Sequence, residues 1–226
     1  HTEPVKYHTP CRHNIIIFML IAATNFTLHY IFLSKGKLDY FKNEEFRIYL
    51  YALFIISIII FFNINYYNIF NWSLESLRDS MFTTATLLST TGFTTANYEL
   101  WPNLSIMLIF ILFFIGGTSG STTGALKIIR TVLIVKYLIY EMKKLIHPMG
   151  VYNIKIGGKI VDENIVKNTL GFYLFYIFIF ISSALIISIY NIDYVTAFAT
   201  SASAIGNIGP GLGDIGPTDN WGFFPN

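Results

Sequence analysis

Long apolar stretches alternate with short polar connectors along this chain. Residues 48–74, 100–126 and 168–192 contain no Asp, Glu, Lys or Arg, and residues 14–34 carry only one histidine, His29. A bilayer core about 30 Å thick is crossed by ~20 apolar residues in a helix. Each of the four stretches is therefore predicted to hold one membrane crossing.

Positive charges are concentrated in two of the connectors, which together hold 12 of the 15 Lys and Arg residues. The first connector carries Lys35, Lys37, Lys42 and Arg47, and the second carries Lys127, Arg130, Lys136, Lys143, Lys144, Lys155, Lys159 and Lys167. By the positive-inside rule both connectors are predicted to be cytoplasmic.

Two small-residue segments are too short to cross a membrane. The chain must leave the cytoplasm and return between the two basic connectors, so residues 71–102 are predicted to begin and end outside. Within them, residues 80–89 are apolar but short, which indicates a re-entrant helix that dips into the membrane and turns back. The same order recurs after residue 192, where Asp193 opens a second small-residue run. The predicted fold is an all-α membrane protein of repeated units, each a helix, a re-entrant loop and a second helix.

Composition agrees with a membrane location. Hydrophobic residues make up 54% of the chain and charged residues 12%, whereas an average globular domain carries roughly 25% charged residues. The single cysteine, Cys11, excludes an internal disulfide framework. A net charge of +2 gives no indication of nucleic-acid binding.

An internal repeat relates the two small-residue segments. A shift of 117 residues places MFTTATLL (81–88) on FATSASAI (198–205) and Gly92 on Gly209. Repeats in membrane transport proteins pack around a pseudo-symmetry axis, and the transported species binds where they meet. The competing interpretation is a chance similarity between two segments of small residues.

Glycine and small polar residues follow each predicted re-entrant helix. We call STTGFTT (89–95) the first pore loop and GNIGPGLG (206–213) the second pore loop. Glycine lets successive carbonyl groups point one way, and a ring of carbonyl oxygens can replace the hydration shell of a cation. The predicted ion ligands are the main-chain oxygens of Thr90, Thr91, Gly92, Phe93, Asn207, Ile208, Gly209 and Pro210. Ordinary tight turns between helices are the alternative.

A cluster of glycine, serine and threonine interrupts the stretch at 100–126; we call residues 116–124 the glycine-rich loop. Each glycine costs a helix about 1 kcal/mol relative to alanine, and serine and threonine hydroxyls compete for backbone hydrogen bonds. A break is therefore predicted within the helix at 103–140. The residues of the predicted break are Gly116, Gly117, Thr118, Ser119, Gly120, Ser121, Thr122, Thr123 and Gly124.

Other interpretations of the glycine-rich loop exist. Gly116 and Gly120 have the small-residue spacing that lets membrane helices pack closely. A phosphate-binding loop is excluded because Lys127 does not follow a glycine. The sequence Gly117–Gly120 also resembles the nucleophile segment of rhomboid-type intramembrane serine proteases, with Ser119 as nucleophile and His29 as a conceivable base.

Three segments in order resemble the Trk-type branch of the Trk/Ktr/HKT potassium transporters. They are SLRDSMFTTATLLSTTGFTTANYELWP, FIGGTSGSTTGALKIIR and TSASAIGNIGPGLGDIGP. That family is similar to four fused potassium-channel subunits around one central pore. The resemblance implies that residues 1–47 are the end of a second pore unit with a cytoplasmic connector, that residues 48–147 are a third unit, and that residues 148–226 are an incomplete fourth unit.

The resemblance also implies the parts of each unit. The third would hold a helix at 48–66, a pore helix at 73–88, a filter at 89–95 and a broken inner helix at 103–140. The fourth would hold a helix at 168–192, a pore helix at 194–205 and a filter at 206–213.

Potassium uptake across the cell membrane is the function that the resemblance implies. Potassium would be the transported ligand, with no covalent cofactor and no enzymatic activity; sodium or mixed transport is the alternative. The glycine-rich loop would act as a gate. Lys127 and Arg130, which follow it, would either anchor the helix by snorkelling or place positive charge below the gate.

The resemblance further implies the partners. Trk-type pores work as homodimers in membrane lipid, on a ring of cytosolic nucleotide-binding regulators. The stretch 141–167 would be either a solvated connector or the docking surface for that ring.

Overall fold

The computed structural model describes residues 9–36, 39–67, 73–150 and 152–223. Most residues in these ranges are helical, and the strands among them are each two residues long. The helices are α1 (Thr9–Ala22), α2 (Phe26–Lys35), α3 (Glu44–Tyr66), α4 (Leu74–Leu88), α5 (Asn103–Leu112), α6 (Ile128–Ile146), α7 (Glu163–Ser188) and α8 (Tyr194–Gly206). The strands are β1 (Ile115–Gly116), β2 (Leu126–Lys127), β3 (Lys155–Ile156) and β4 (Lys159–Ile160).

Several of the helices suit a membrane. Within the described ranges, α3 and α7 are each long and apolar enough to cross it, and α1 with α2 makes a third span if the bent pair is counted as one. The predicted all-α membrane fold class is confirmed. The inner helix predicted at 103–140 consists of two helices, α5 and α6, on either side of a non-helical segment.

The stretch predicted at 14–34 to hold one crossing is not one straight helix, because the chain bends by 97° between α1 and α2. Asn25 causes the break locally: its side-chain oxygen accepts a hydrogen bond from Thr27 N at 2.8 Å and caps a new helix. The carbonyl groups of Ala22, the last residue of α1, and of Ala23, which follows it, accept hydrogen bonds from the glycine-rich loop.

Two helices begin earlier in the sequence than their apolar stretches predict, because a polar residue caps the N-terminus of each. Helix α3 begins at Glu44, because the Asn43 side chain accepts from Phe46 N at 3.0 Å. Helix α7 begins at Glu163, because the Asp162 side chain accepts from Asn164 N at 2.7 Å. Capping therefore extends both helices beyond their charge-free stretches.

The re-entrant helices occupy the centre of the fold. Helix α4 packs against α3 and α1, and α8 packs against α7. Small residues make this close packing feasible: Ala85 on α4 and Ala197, Ala199 and Ala202 on α8 are fully buried. The two helices deliver the ends of the pore loops to the middle of the molecule.

A short hairpin, β3–β4, lies between α6 and α7. Its strands pair antiparallel, Lys155 with Ile160 and Ile156 with Lys159. Gly157 and Gly158 form the turn with positive φ values of 57° and 79°.

Candidate functional site

The two re-entrant helices end in the same backbone turn. Thr91 N donates to Thr86 O at 2.9 Å, and Ile208 N donates to Ser203 O at 3.0 Å. These pairs are related by the 117-residue shift. The internal repeat is thus visible in hydrogen bonding as well as in sequence.

Backbone angles repeat in the same register. Thr90 and Asn207 have left-handed φ values of 50° and 52°, and two residues later Gly92 and Gly209 have φ values of 79° and 112°. Residues with a Cβ rarely adopt such angles, so each loop needs glycine at its second left-handed position.

The two pore loops lie against each other. A methyl group built on Gly92 would lie 2.1 Å from the carbonyl oxygen of Ile208 and 3.0 Å from Pro210 Cδ. Thr91, Phe93, Asn207 and Gly209 are exposed, whereas Ile208 is buried. The structure thus brings the predicted ion-ligand segments together.

Side chains from several directions hold the second pore loop. The Ser203 hydroxyl accepts from Gly209 N (3.1 Å) and donates to Pro210 O (2.9 Å). The Tyr98 hydroxyl donates to Gly211 O at 2.8 Å, and Trp221 Nε1 donates to Gly209 O at 3.2 Å. The loop is therefore fixed both from its own helix and from residues outside it.

The C-terminal end of the second pore loop rests on Glu99, whose Oε1 accepts a hydrogen bond from Gly213 N at 2.7 Å. Burial raises the pKa of the Glu99 carboxyl, and the charges of Asp219 and Asp214 act in the same direction, whereas the hydrogen bond from Gly213 N opposes them. Glu99 thus joins the segment that follows the first pore loop to the end of the second pore loop.

A buried ion pair supports the first pore loop. Arg12 Nη1 of α1 lies 3.0 Å from Asp79 Oδ1 of α4, and both side chains are 8% exposed. The Thr95 hydroxyl donates to the same oxygen at 3.3 Å. Sequence reasoning missed this pair, although a carboxylate within a re-entrant segment is a signal for a buried partner.

The glycine-rich loop lies directly beside the ends of both pore loops. Its ends are tied by a parallel ladder in which Ile115 pairs with Leu126 and Gly116 with Lys127. Gly124 N donates to the Thr90 hydroxyl at 2.8 Å. A methyl group on Gly124 would lie 2.1 Å from Gly206 O. The loop therefore touches residues at the start of both pore loops.

The break between α1 and α2 binds the other side of this loop. Thr118 N and its hydroxyl both donate to Ala23 O, at 3.0 and 3.1 Å. The Thr122 hydroxyl donates to Ala22 O at 3.2 Å, and Phe26 N donates to Gly120 O at 3.1 Å. The break between α1 and α2 and the glycine-rich loop thus provide hydrogen-bond partners for each other's backbone groups.

Lys127 enters the loop, whereas Arg130 does not. The Lys127 ammonium donates to the Ser121 carbonyl (3.2 Å) and hydroxyl (3.3 Å), to the Thr123 hydroxyl (2.7 Å) and to the Thr123 carbonyl. The Arg130 guanidinium lies 4.1 Å from the ring centroid of Phe172 on α7.

Ser119 is bound by an acid and not by the histidine considered from the sequence. Its N–H and hydroxyl donate to Glu45 Oε1 and Oε2 at 2.6 and 2.8 Å. The ring nitrogens of His29 lie 2.8 Å from the Tyr40 hydroxyl and 2.9 Å from Ile21 O. The structure therefore does not assemble the Ser119–His29 pair of a serine protease. Sequence reasoning missed Glu45, because its partner Ser119 lies 74 residues later in the sequence.

A protein-family model described as cation transport protein, TrkH, matches residues 11–220. The chain belongs to the TrkH family.

Relatives of known name agree with the TrkH assignment. The Trk system potassium uptake protein TrkH of Escherichia coli K12 is 36% identical over 202 residues, which cover 89% of this chain and 42% of that protein. TrkG of the same organism is 30% identical over 217 residues, covering 94% and 44%.

The crystal structure of the potassium transporter TrkH from Vibrio parahaemolyticus superposes with a TM-score of 0.87 at 31% identity. It covers 94% of this chain and 46% of that one. The chain thus spans less than half the length of the TrkH relatives that it matches.

Proposed function

We propose that this chain supplies two walls of a potassium-selective pore and its gate, within a multi-pass protein that takes up potassium across the cell membrane. The observation that carries the proposal is the pairing of two pore loops with the same left-handed turn, one against the other. The names of the relatives support potassium as the transported ion. The pore needs no covalent chemistry and no covalent cofactor.

Main-chain oxygens would provide selectivity. In this proposal the carbonyl groups of residues 90–93 and 207–210 replace part of the hydration shell of potassium. The left-handed residues turn successive carbonyl groups, and the contact between Gly92 and Ile208 fixes the spacing of the two walls. Sodium transport by the same pore is an outcome that the experiment below distinguishes.

The glycine-rich loop would act as the gate. It contacts Thr90 and Gly206 at the start of the pore loops, so an ion leaving them meets this loop. The Lys127 ammonium lies within hydrogen-bond distance of four oxygens of the loop. These contacts would hold its positive charge on the ion path. Arg130 would add positive charge below the gate only by lying close to Lys127 in sequence. Its guanidinium packs on the ring of Phe172 and does not enter the loop.

Assembly is proposed on the same basis. The relatives are named as members of a Trk system, which fits a pore with additional subunits. We propose a homodimer in lipid, with the cytosolic nucleotide-binding ring docking on the basic surface around α6 and the β3–β4 hairpin.

Replacing Gly92 by alanine tests the selective pore. We expect the full-length protein in proteoliposomes to lose potassium-over-sodium preference by about tenfold, because overpacking costs about 1–3 kcal/mol and displaces the Ile208 carbonyl.

The matched control is Gly171→Ala on α7, where a methyl group meets open space; its ion preference should equal that of the wild type. A wild-type ratio in Gly92→Ala would refute the assignment of the filter. If the wild-type protein shows no preference between potassium and sodium, the proposed function changes from potassium uptake to mixed transport of the two ions.

A further inference from the structure

Glu45 has an unusual position for a carboxylate in this molecule. It lies in the first turn of α3 and is only 6% exposed. Burying a charged carboxylate is costly unless hydrogen bonds compensate. Both of its oxygens are in use, and both bind one residue of the glycine-rich loop, Ser119.

The neighbouring acid faces elsewhere, which shows that the arrangement is specific to Glu45. Glu44 pairs with Lys136 on α6 and accepts from Gly157 N in the β3–β4 hairpin. The same helical turn therefore directs one carboxylate to the loop and the other to α6 and the hairpin.

We propose that Glu45 is a positioning residue that holds the glycine-rich loop beneath the pore loops. This inference rests on the proposed function, since it gives the gate a specific anchor. Hydrogen bonds to an ionised acceptor are about twice as strong as neutral ones. The start of α3 also favours a negative charge, because the helix dipole is positive there.

The Glu45 anchor differs from the other contacts of the loop. The hydrogen bonds to Ala22 and Ala23 join neutral groups, and the Lys127 contacts come from the loop's own C-terminal end. Glu45 provides a charged contact from α3, a separate helix. The two hydrogen bonds from Ser119 to Glu45 must therefore break before the Ser119 part of the loop can move away from Thr90.

The test measures basal potassium flux through the full-length protein in proteoliposomes without its cytosolic partner. We expect Glu45→Gln to raise basal flux by about tenfold, because it removes the charge and one acceptor, while the potassium-to-sodium ratio stays unchanged. Ser119→Ala should give a smaller rise. The double variant should conduct no more than Glu45→Gln alone, because both changes remove the same interaction.

Glu44→Gln is the matched control, and its basal flux should stay within about twofold of wild type, because Glu44 contacts Lys136 and Gly157 and not the glycine-rich loop. Unchanged flux in both Glu45→Gln and Ser119→Ala, or an equal rise in Glu44→Gln, would overturn the inference. If Glu45→Gln does not reach the membrane, Ser119→Ala decides alone: a rise supports the anchor and no change refutes it.

Failure of this inference differs from failure of the proposed function. If wild type conducts selectively and Gly92→Ala loses preference while the Glu45 and Ser119 variants behave as wild type, only the anchor is wrong. If Gly92→Ala keeps the wild-type ratio, the filter itself is wrong.

Discussion

At the scale of single residues, the two pore loops share a backbone turn but use different side chains to hold it. Ser203 contacts two backbone groups of its loop. Its repeat counterpart, Thr86, has a buried hydroxyl without a hydrogen-bond partner in the described part of the chain. The first loop instead relies on a contact between the Ser89 and Thr91 hydroxyls at 2.8 Å. The repeat therefore preserves backbone geometry more closely than side-chain support.

Ser203→Ala should lower potassium-over-sodium preference while the protein still reaches the membrane. The change removes the hydrogen-bond partner of Gly209 N and Pro210 O, and such a hydrogen bond contributes about 0.5–1.5 kcal/mol. Competitive flux of the two ions in proteoliposomes measures the effect.

Thr200→Val, one helical turn earlier, serves as the control. The Thr200 hydroxyl is buried and makes no hydrogen bond to the described residues, so its removal should leave the ion ratio unchanged. A wild-type ratio in Ser203→Ala would show that the second pore loop holds its shape without this hydroxyl.

At the scale of helices and loops, the local sequence predicted the elements better than their partners. The glycines of the pore loops and the residues of the glycine-rich loop signal non-helical backbone by themselves. The break at Asn25 was missed because the carbonyl groups of Ala22 and Ala23 find their partners about a hundred positions away, at Thr122 and Thr118. No local pattern contains that information.

Charged residues show the same division between local and distant signals. The positive charges predict the cytoplasmic side from their local clustering alone, since the positive-inside rule depends on the membrane and not on tertiary contacts. The role of Glu45 depends on Ser119, 74 residues later, and that of Asp79 depends on Arg12, 67 residues earlier. Such contacts follow from tertiary packing and cannot be read from spacing.

The ion pair between α1 and α4 yields a prediction about stability. Asp79→Asn should lower the free energy of unfolding by about 1.5–3 kcal/mol, because it removes the charged acceptor of the buried hydrogen bond from Arg12. Combining Arg12→Met with Asp79→Leu should restore most of it, since apolar packing often replaces such pairs. Thermal unfolding in detergent provides the measurement.

Glu163→Gln is the control for this experiment, because the Glu163–Lys167 pair is exposed at 81% and 67%. Its melting temperature should equal that of wild type, since exposed pairs contribute little. If Asp79→Asn melts with the wild type, the buried pair contributes nothing to holding α4 in place.

At the scale of the whole molecule, three segments distant in sequence meet at one place. The first pore loop contacts the second through Gly92, and the glycine-rich loop contacts both through Gly124. Two further residues hold the glycine-rich loop: Ala23, which directly follows α1, and Glu45 on α3. In our account, selectivity and gating are therefore adjacent, and the scaffold that positions the gate is separate from the groups that would bind the ion.

Anomalous diffraction from crystals of the full-length protein grown in thallium, a heavy stand-in for potassium, tests the central claim most directly. The account predicts thallium peaks coordinated by main-chain oxygens of residues 90–93 and 207–210, on the side of Thr90 away from Gly124. Peaks that lie only at carboxylates, or the absence of any peak between the two pore loops, would contradict it.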